Sequence, residues 1–288
     1  MTASKAYSAP QTLQDATRLA ADGGATLLAG GTDILPRWSR GLLERPEAVV
    51  DLKRIADLRG VTRANGEIRL GACTTLSDLA SDPIIRDAAL VLAQAAERVA
   101  CPQVRNRATI GGNLCNASPA ADTAIPLILL DAVLDLATAG ANGVAQREVP
   151  ITDFFRGPGA TVLTPGEILT CIRFRPLPER AFAAWDKFGT RPAMEIAVAS
   201  VGVALKVESG AVTHARVAYG SVAPIPLRGR QAEAALLGKP LSAETITRCE
   251  AAARDEIAPI TDVRASETFR RDVVAVMLRR MLQRAACS

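Results

Sequence analysis

Two glycine pairs constrain this chain more than any other feature. Gly30-Gly31 follows the apolar run Ala25-Thr-Leu-Leu-Ala29 and leads into Thr32-Asp33, while Gly111-Gly112 lies in Thr109-Ile-Gly-Gly-Asn113. Both pairs sit between strongly patterned segments, so the chain turns there in conformations open to residues without a Cβ. Consecutive glycine N–H groups can converge on an anion, because nothing blocks close approach or positive φ. Thr32, Thr109, Asn113 and Asn116 can add neutral hydrogen bonds. Two such loops face to face would suit a pyrophosphate, which carries oxygens on both sides. Each pair alone also reads as a tight turn. Neither fits G-x-G-x-x-G or the P-loop, so a Rossmann or Walker site is not supported.

The pattern around the pairs points to mixed structure. Thr12-Leu-Gln-Asp15 reads as a capping box opening a helix with Leu13, Ala16 and Ala20 on one face, stopped by Asp22-Gly23-Gly24. Short apolar strands follow at Ala25–Ala29 and Ala48–Leu52. From residue 60 the period changes to two, and Asn65-Gly66 predicts a hairpin between Val61–Arg63 and Glu67–Leu70. Asp82-Pro83 predicts the start of one helix carrying Ile85, Ala88, Leu92, Ala95 and Val99 and ending before Pro102. The stretch Thr109–Asp122 reads as a loop, followed by a short helix or apolar run over Thr123–Leu130. Further strands end with Glu167–Phe174, and Pro176–Arg180 is the best linker candidate. Beyond it, a hairpin turns at Ser209-Gly210, and helices are predicted over Ala243–Ile257 and Glu267–Arg284.

Composition removes much chemistry. With 288 residues, the chain is long enough for two domains. A single histidine excludes multi-imidazole zinc sites and HExxH proteases, and leaves any serine triad resting on His214, which reads as an exposed strand residue. The six cysteines (Cys73, Cys101, Cys115, Cys171, Cys249 and Cys287) form no CxxC pair, so they read as free buried thiols in a reducing compartment. A net charge of +4 with no basic–aromatic interleaving argues against a nucleic-acid partner. The most apolar stretch, Ala124–Leu134, is broken by Pro126 and Asp131 and falls short of the roughly 20 residues of a membrane span. The first residues carry no apolar core of a signal peptide, so the expected location is the cytoplasm. Arg270, Arg271, Arg279, Arg280 and Arg284 on the last helix read as a solvated face.

Five stretches together carry a resemblance that neither glycine pair carries alone. They are Leu28-Ala-Gly-Gly-Thr-Asp33, Thr109-Ile-Gly-Gly-Asn-Leu-Cys-Asn-Ala-Ser-Pro-Ala-Ala-Asp122, Phe154-Phe-Arg-Gly-Pro-Gly159, Thr164-Pro-Gly-Glu-Ile-Leu169 and Arg191-Pro-Ala-Met-Glu-Ile-Ala197. The chain resembles, over nearly its whole length, the FAD-binding (medium) subunits of molybdenum hydroxylases, the carbon monoxide dehydrogenase medium-subunit and xanthine dehydrogenase flavin-domain family.

That resemblance implies an α+β fold. A two-part FAD-binding domain of the PCMH (vanillyl-alcohol oxidase-like) type would span residues 1–176, with a small parallel-strand unit before an antiparallel sheet. A C-terminal domain with a three-stranded antiparallel sheet and helices would span 177–288. It also implies that Leu27, Leu28, Ala29, Gly30, Gly31, Thr32, Asp33 and Ile34 form one pyrophosphate loop, and Thr109, Ile110, Gly111, Gly112 and Asn113 the other, with Cys115 and Asn116 beside them. Val99 and Ala100 would line the flavin region, Asp122 would bond the adenosine or ribityl part, Leu169 would touch the flavin, and Lys187 would reach the isoalloxazine from the C-terminal domain. Asp33 stands where some relatives have Glu, and the cysteine-rich insertion of hydroxybenzoyl-CoA-reducing relatives is missing.

The implied activity is electron transfer within a molybdenum-containing hydroxylase or dehydrogenase. FAD would sit in this chain, molybdopterin in a large partner subunit and two [2Fe–2S] clusters in a small one, in a dimer of heterotrimers, with no catalytic side chain or metal demanded here. Two other readings stay open at this point. A self-contained flavin oxidase or reductase would need an acid or base near the flavin, for which only Glu195 volunteers. A flavin-free structural subunit would use both glycine pairs merely as turns.

Overall fold

The computed structural model describes residues 6–21, 24–141, 143–191 and 193–287. The first unit is a small parallel sheet in which Ala48–Asp51 lies between Ala6–Ser8 and Ala25–Leu28. The helix Leu13–Ala21 crosses between the outer two strands. Thr12 caps it through its Oγ1, which accepts from the Asp15 amide at 3.1 Å. Of its expected stop, Asp22 and Gly23 lie outside the described residues. Gly24 has φ +74°, a left-handed conformation suited to glycine.

The second sheet has five antiparallel strands in the order Val61–Ala64, Glu67–Gly71, Ile168–Phe174, Val133–Gly140, Gly143–Pro150. Asn65 and Gly66 both have positive φ (53° and 74°), as the predicted two-residue hairpin turn requires. Period-two alternation places Ile68, Leu70, Leu134, Leu136 and Ile172 on one face, fully buried under a layer of short helices. The predicted long helix after Asp82 is instead two, Pro83–Ala88 and Leu90–Glu97, meeting at Ala89 (φ −152°). Asp82 does cap the first, accepting from the Ile84 and Ile85 amides. A further helix, Leu76–Ser81, precedes them, capped by Thr75 in a Thr75–Asp78 box like that at Thr12.

Past the coil at 175–181 comes a second antiparallel sheet with three long strands, Phe182–Phe188, Ala199–Glu208 and Ala211–Gly220, and a two-residue edge, Leu227–Arg228. The helices Arg230–Leu236, Ala243–Glu256 and Glu267–Ala286 cover one face. The last covers the predicted stretch, and it buries Val274, Leu278, Met281, Leu282 and Ala285 at helical spacing. The first of the three was not foreseen. Gly202 and Gly220 on neighbouring strands let the helix Ala124–Leu129 of the first domain pack directly on this sheet, since a Cβ at Gly202 would come within 2.8 Å of Ile125.

Several surface expectations need correcting. Arg270 is buried (3% exposed), donating to the Val198 and Ser221 carbonyls and to Asp262, so the arginines of the last helix are not one solvated face. His214 lies on a strand as expected but is half-buried, and burial lowers its pKa. All six cysteines are free, yet only Cys73 and Cys249 are buried; Cys287 is exposed.

Candidate cofactor site

A cavity of about 540 Å³ opens where the parallel sheet meets the helical layer. Strand alternation decides which side chains reach it. Leu27 and Ala29 face the cavity, while Leu28 between them turns into the protein (8% exposed). Gly30, Gly31, Thr32, Asp33 and Ile34 continue the wall. A Cβ on Gly30 would overlap the Arg107 carbonyl oxygen, so this loop lies directly against the backbone that enters the second glycine motif. The two motifs are thus brought together, as their sequences suggested.

They present different surfaces. Among the described residues, no acceptor takes the amides of Gly30, Gly31, Thr32, Asp33 or Ile34. Five consecutive backbone donors therefore stand free at the cavity wall. The second motif was expected to be a loop but begins the helix Ile110–Cys115. Its amides are spent: Ile110 on Thr74 O (3.0 Å), Gly111 on Ala72 O (2.8 Å), Gly112 on Thr109 Oγ1 (3.1 Å) and Asn113 on Thr109 O (2.9 Å). Thr109, Gly111, Gly112, Asn113, Cys115 and Asn116 still line the cavity, but by shape and side chains; Ile110 is fully buried core.

The third wall is the segment 163–169, which includes Leu169. Glu167 holds this wall in place. Its carboxylate accepts from Arg147 Nε (2.6 Å), Arg147 guanidinium nitrogen (2.7 Å) and the Thr164 amide (2.7 Å), and these bonds, Arg147's first, hold its pKa down to about 2. Cys73 and Cys115 also line the cavity, and burial raises their thiols to about 11 and about 12, so both are neutral. Arg37, Leu43, Thr164, Gly166 and Glu167 line it without having been singled out from sequence. The Thr164–Leu169 stretch carried a signal, but helix residue Arg37 carried none.

Four expected residues lie elsewhere. Val99, Ala100, Asp122 and Lys187 do not line the cavity; they gather at the seam between the two domains. Lys187 Nζ donates to Asp122 Oδ2 (2.7 Å) and to Arg98 O (3.0 Å), with both charged side chains buried. Burial raises the Asp122 pKa, and the Lys187 ammonium offsets this only in part. Arg98 pairs with Asp186 and lies 5.1 Å over the Trp185 ring. Ala100 is in the left-handed region (φ 45°). A hydrogen bond from Thr123 Oγ1, next to Asp122, to Asn113 Oδ1 (2.6 Å) links the seam to the cavity. Glu195 accepts from the Arg191 amide (3.0 Å) in an outer loop.

Free backbone donors, neutral thiols and a mostly apolar wall fit a long cofactor with an anionic middle. Among the described residues, no group of three or more His, Cys, Asp or Glu could hold a metal, and no helix is long and apolar enough to cross a membrane.

Comparison with known proteins gives the class. Residues 2–177 match the family of FAD binding domains in molybdopterin dehydrogenases, and residues 184–285 match the CO dehydrogenase flavoprotein C-terminal domain. The chain belongs to this family of FAD-binding oxidoreductase subunits. It is 36% identical over 285 residues to the putative xanthine dehydrogenase FAD-binding subunit of Escherichia coli (strain K12), covering 98% of this chain and 96% of that one. It is 33% identical over 281 residues to the carbon monoxide dehydrogenase medium chain of Hydrogenophaga pseudoflava, covering 97% and 96%. A solved structure of carbon monoxide dehydrogenase from that organism superposes with a TM-score of 0.92 at 34% identity, covering 99% and 98% of the two chains. The α+β architecture read from the resemblance is therefore the observed one.

Proposed function

We propose that the cavity holds one noncovalent FAD, with the pyrophosphate against Gly30–Ile34. The observation that carries this reading is the row of five free amides beside the second glycine motif. Thr32, Asn113 and Asn116 supply side-chain hydrogen bonds, and Gly111 and Gly112 keep the facing wall low enough for close approach. Leu27, Ala29, Cys115 and Leu169 offer apolar surface to rings. The flavin end would lie toward the seam, where Asp122 and Lys187 hold each other and Lys187 also donates to the Arg98 carbonyl, next to Val99 and Ala100.

When bound, FAD can take up and release electrons singly or in pairs. The residues of this chain bind it, orient it and exclude water; none is asked to move a proton. Electrons would arrive from two [2Fe–2S] clusters in a small partner subunit, fed by a molybdopterin-binding large subunit, and leave to an acceptor such as NAD or oxygen. In this reading the assembly is a cytoplasmic dimer of heterotrimers, and the domain boundary falls between residues 176 and 177.

The test is spectroscopic. The purified chain should show oxidised-flavin absorption near about 450 nm and release FAD on denaturation. Gly112→Val should cost FAD occupancy with little loss of folding, because Gly112 is exposed and the one near atom is Thr109 Oγ1, 2.8 Å from the added Cβ. Unchanged occupancy in that variant would overturn the pyrophosphate assignment. Reduction by a substrate without partner subunits would point to a self-contained enzyme.

A further inference from the structure

Among the described residues, the cavity wall carries one cation, Arg37. Among the described residues that line it, the charged side chains are Asp33, Glu167 and Arg37. Glu167 is already neutralised by the two-pronged bond from Arg147. Arg37 sits one helical turn beyond Asp33 in the helix Ile34–Ser39, and its guanidinium meets Asp33 Oδ2 at 3.4 Å. Both side chains are about half exposed (45% and 52%), and no other acceptor engages Arg37 among the described residues. A guanidinium offers five donors in a planar fork, shaped for two oxygens of one acid. Here one donor is spent, at a distance near the limit for a hydrogen bond.

The same stretch poses an electrostatic problem. The free amides of Gly30–Ile34 belong to the loop that carries the Asp33 carboxylate. An anion bound there sits close to a like charge, which weakens binding unless a cation intervenes.

Resting on the FAD reading above, we infer that Arg37 is a cofactor-binding residue whose fork turns from Asp33 to the pyrophosphate oxygens. Asp33 then competes with the cofactor for the guanidinium and sets how much of it is available. The backbone donors fix where the pyrophosphate lies, and Arg37 supplies the charge that backbone amides lack.

The experiment is titration of the flavin-free full-length chain with FAD, followed by flavin fluorescence at low and high salt, with circular dichroism melting as the folding control. Arg37→Met should weaken FAD binding by about tenfold to hundredfold, the range for a lost charge-assisted bond, and flatten its salt dependence. Arg37→Lys, which keeps the charge but not the fork, should fall between. Asp33→Asn should bind FAD more tightly than wild type, and Arg37→Met in that background should again bind at least about tenfold more weakly. Equal affinity of wild type and Arg37→Met, with both folded, overturns the inference about Arg37 alone. Loss of the Arg37 effect in the Asp33→Asn background also overturns it, because Arg37 would then merely neutralise Asp33. A folded wild-type chain that takes up no FAD overturns the parent reading, and this inference with it.

Discussion

In the first glycine motif the amides of Gly30 through Ile34 have no acceptor, whereas in the second those of Ile110, Gly111, Gly112 and Asn113 are all engaged within the protein. The sequences look alike: a glycine pair, then a small polar residue. The difference comes from what each motif leaves and enters. The first leaves the end of the strand Ala25–Leu28, where no neighbouring strand continues to take up its donors. The second enters a helix whose first turn is closed by a threonine cap and pinned to residues 72–76. Glycine is needed in the first both for conformation, as the φ of +76° at Gly31 shows, and for the approach of Gly30 to the Arg107 carbonyl; in the second it is needed for packing alone, since a Cβ at Gly111 would come within 2.7 Å of Ala72. One motif stores free donors; the other builds a rigid wall opposite them.

The largest expected effect comes from pushing the two motifs apart. Gly30→Val would drive a branched side chain into the Arg107–Ala108 backbone, which cannot rotate away. Overpacking of this kind costs about 3 kcal/mol, and FAD occupancy should fall with it. Chemical denaturation with flavin retention as a second readout checks both. Gly112→Val meets no backbone and should keep most of its stability, so equal destabilisation by the two would break the contrast between them.

A smaller effect tests the third wall, which faces both motifs. Glu167 has a folded-state pKa of about 2 against 4.5 for the free side chain. Its stabilisation is therefore fully present above about pH 4.5 and is lost as pH falls toward about 2. Arg147 is 44% exposed, so solvent screens the pair and the contribution is on the order of 1–2 kcal/mol. Arg147→Met should be less stable than wild type by that amount at neutral pH. The gap should narrow on acidification through this window. A gap independent of pH would mean that Arg147 acts by packing rather than through Glu167.

Much of the scaffold was legible because it is written in local rules. The Thr12 and Asp82 caps, the Asn65-Gly66 turn and the extent of the last helix each depend on residues a few positions apart. What escaped depended on distant partners. Arg270 lies on a helix face that looks solvated in sequence, and it is buried because the Val198 and Ser221 carbonyls and Asp262 converge on it. Thr109 was not read as a helix cap because Gly112 stands where a capping box has an acid. The candidate site divides in the same way. The glycine motifs announced a cavity, but that Asp122 and Lys187 bond each other at the domain seam required the fold. Arg37 reaches the cavity through the placement of a six-residue helix, which no spacing rule specifies.

The smallest effects give the sharpest form of the comparison, because one threonine in each motif can be shortened by the same amount. Thr109 Oγ1 accepts from the Gly112 amide, so Thr109→Ala removes a cap and should cost about 1 kcal/mol of stability. The released amide belongs to an exposed residue, where water replaces the lost bond, and FAD affinity should change little. Thr32 makes no side-chain hydrogen bond within the protein among the described residues, yet it lines the cavity. Thr32→Ala should leave stability within about 0.5 kcal/mol of wild type and weaken FAD by roughly 1 kcal/mol, the net worth of one hydrogen bond. Melting curves and FAD titrations on the two variants should therefore cross, one losing stability and the other affinity. If both variants lose the same property, the free donors of the first motif and the spent donors of the second do not mark different jobs.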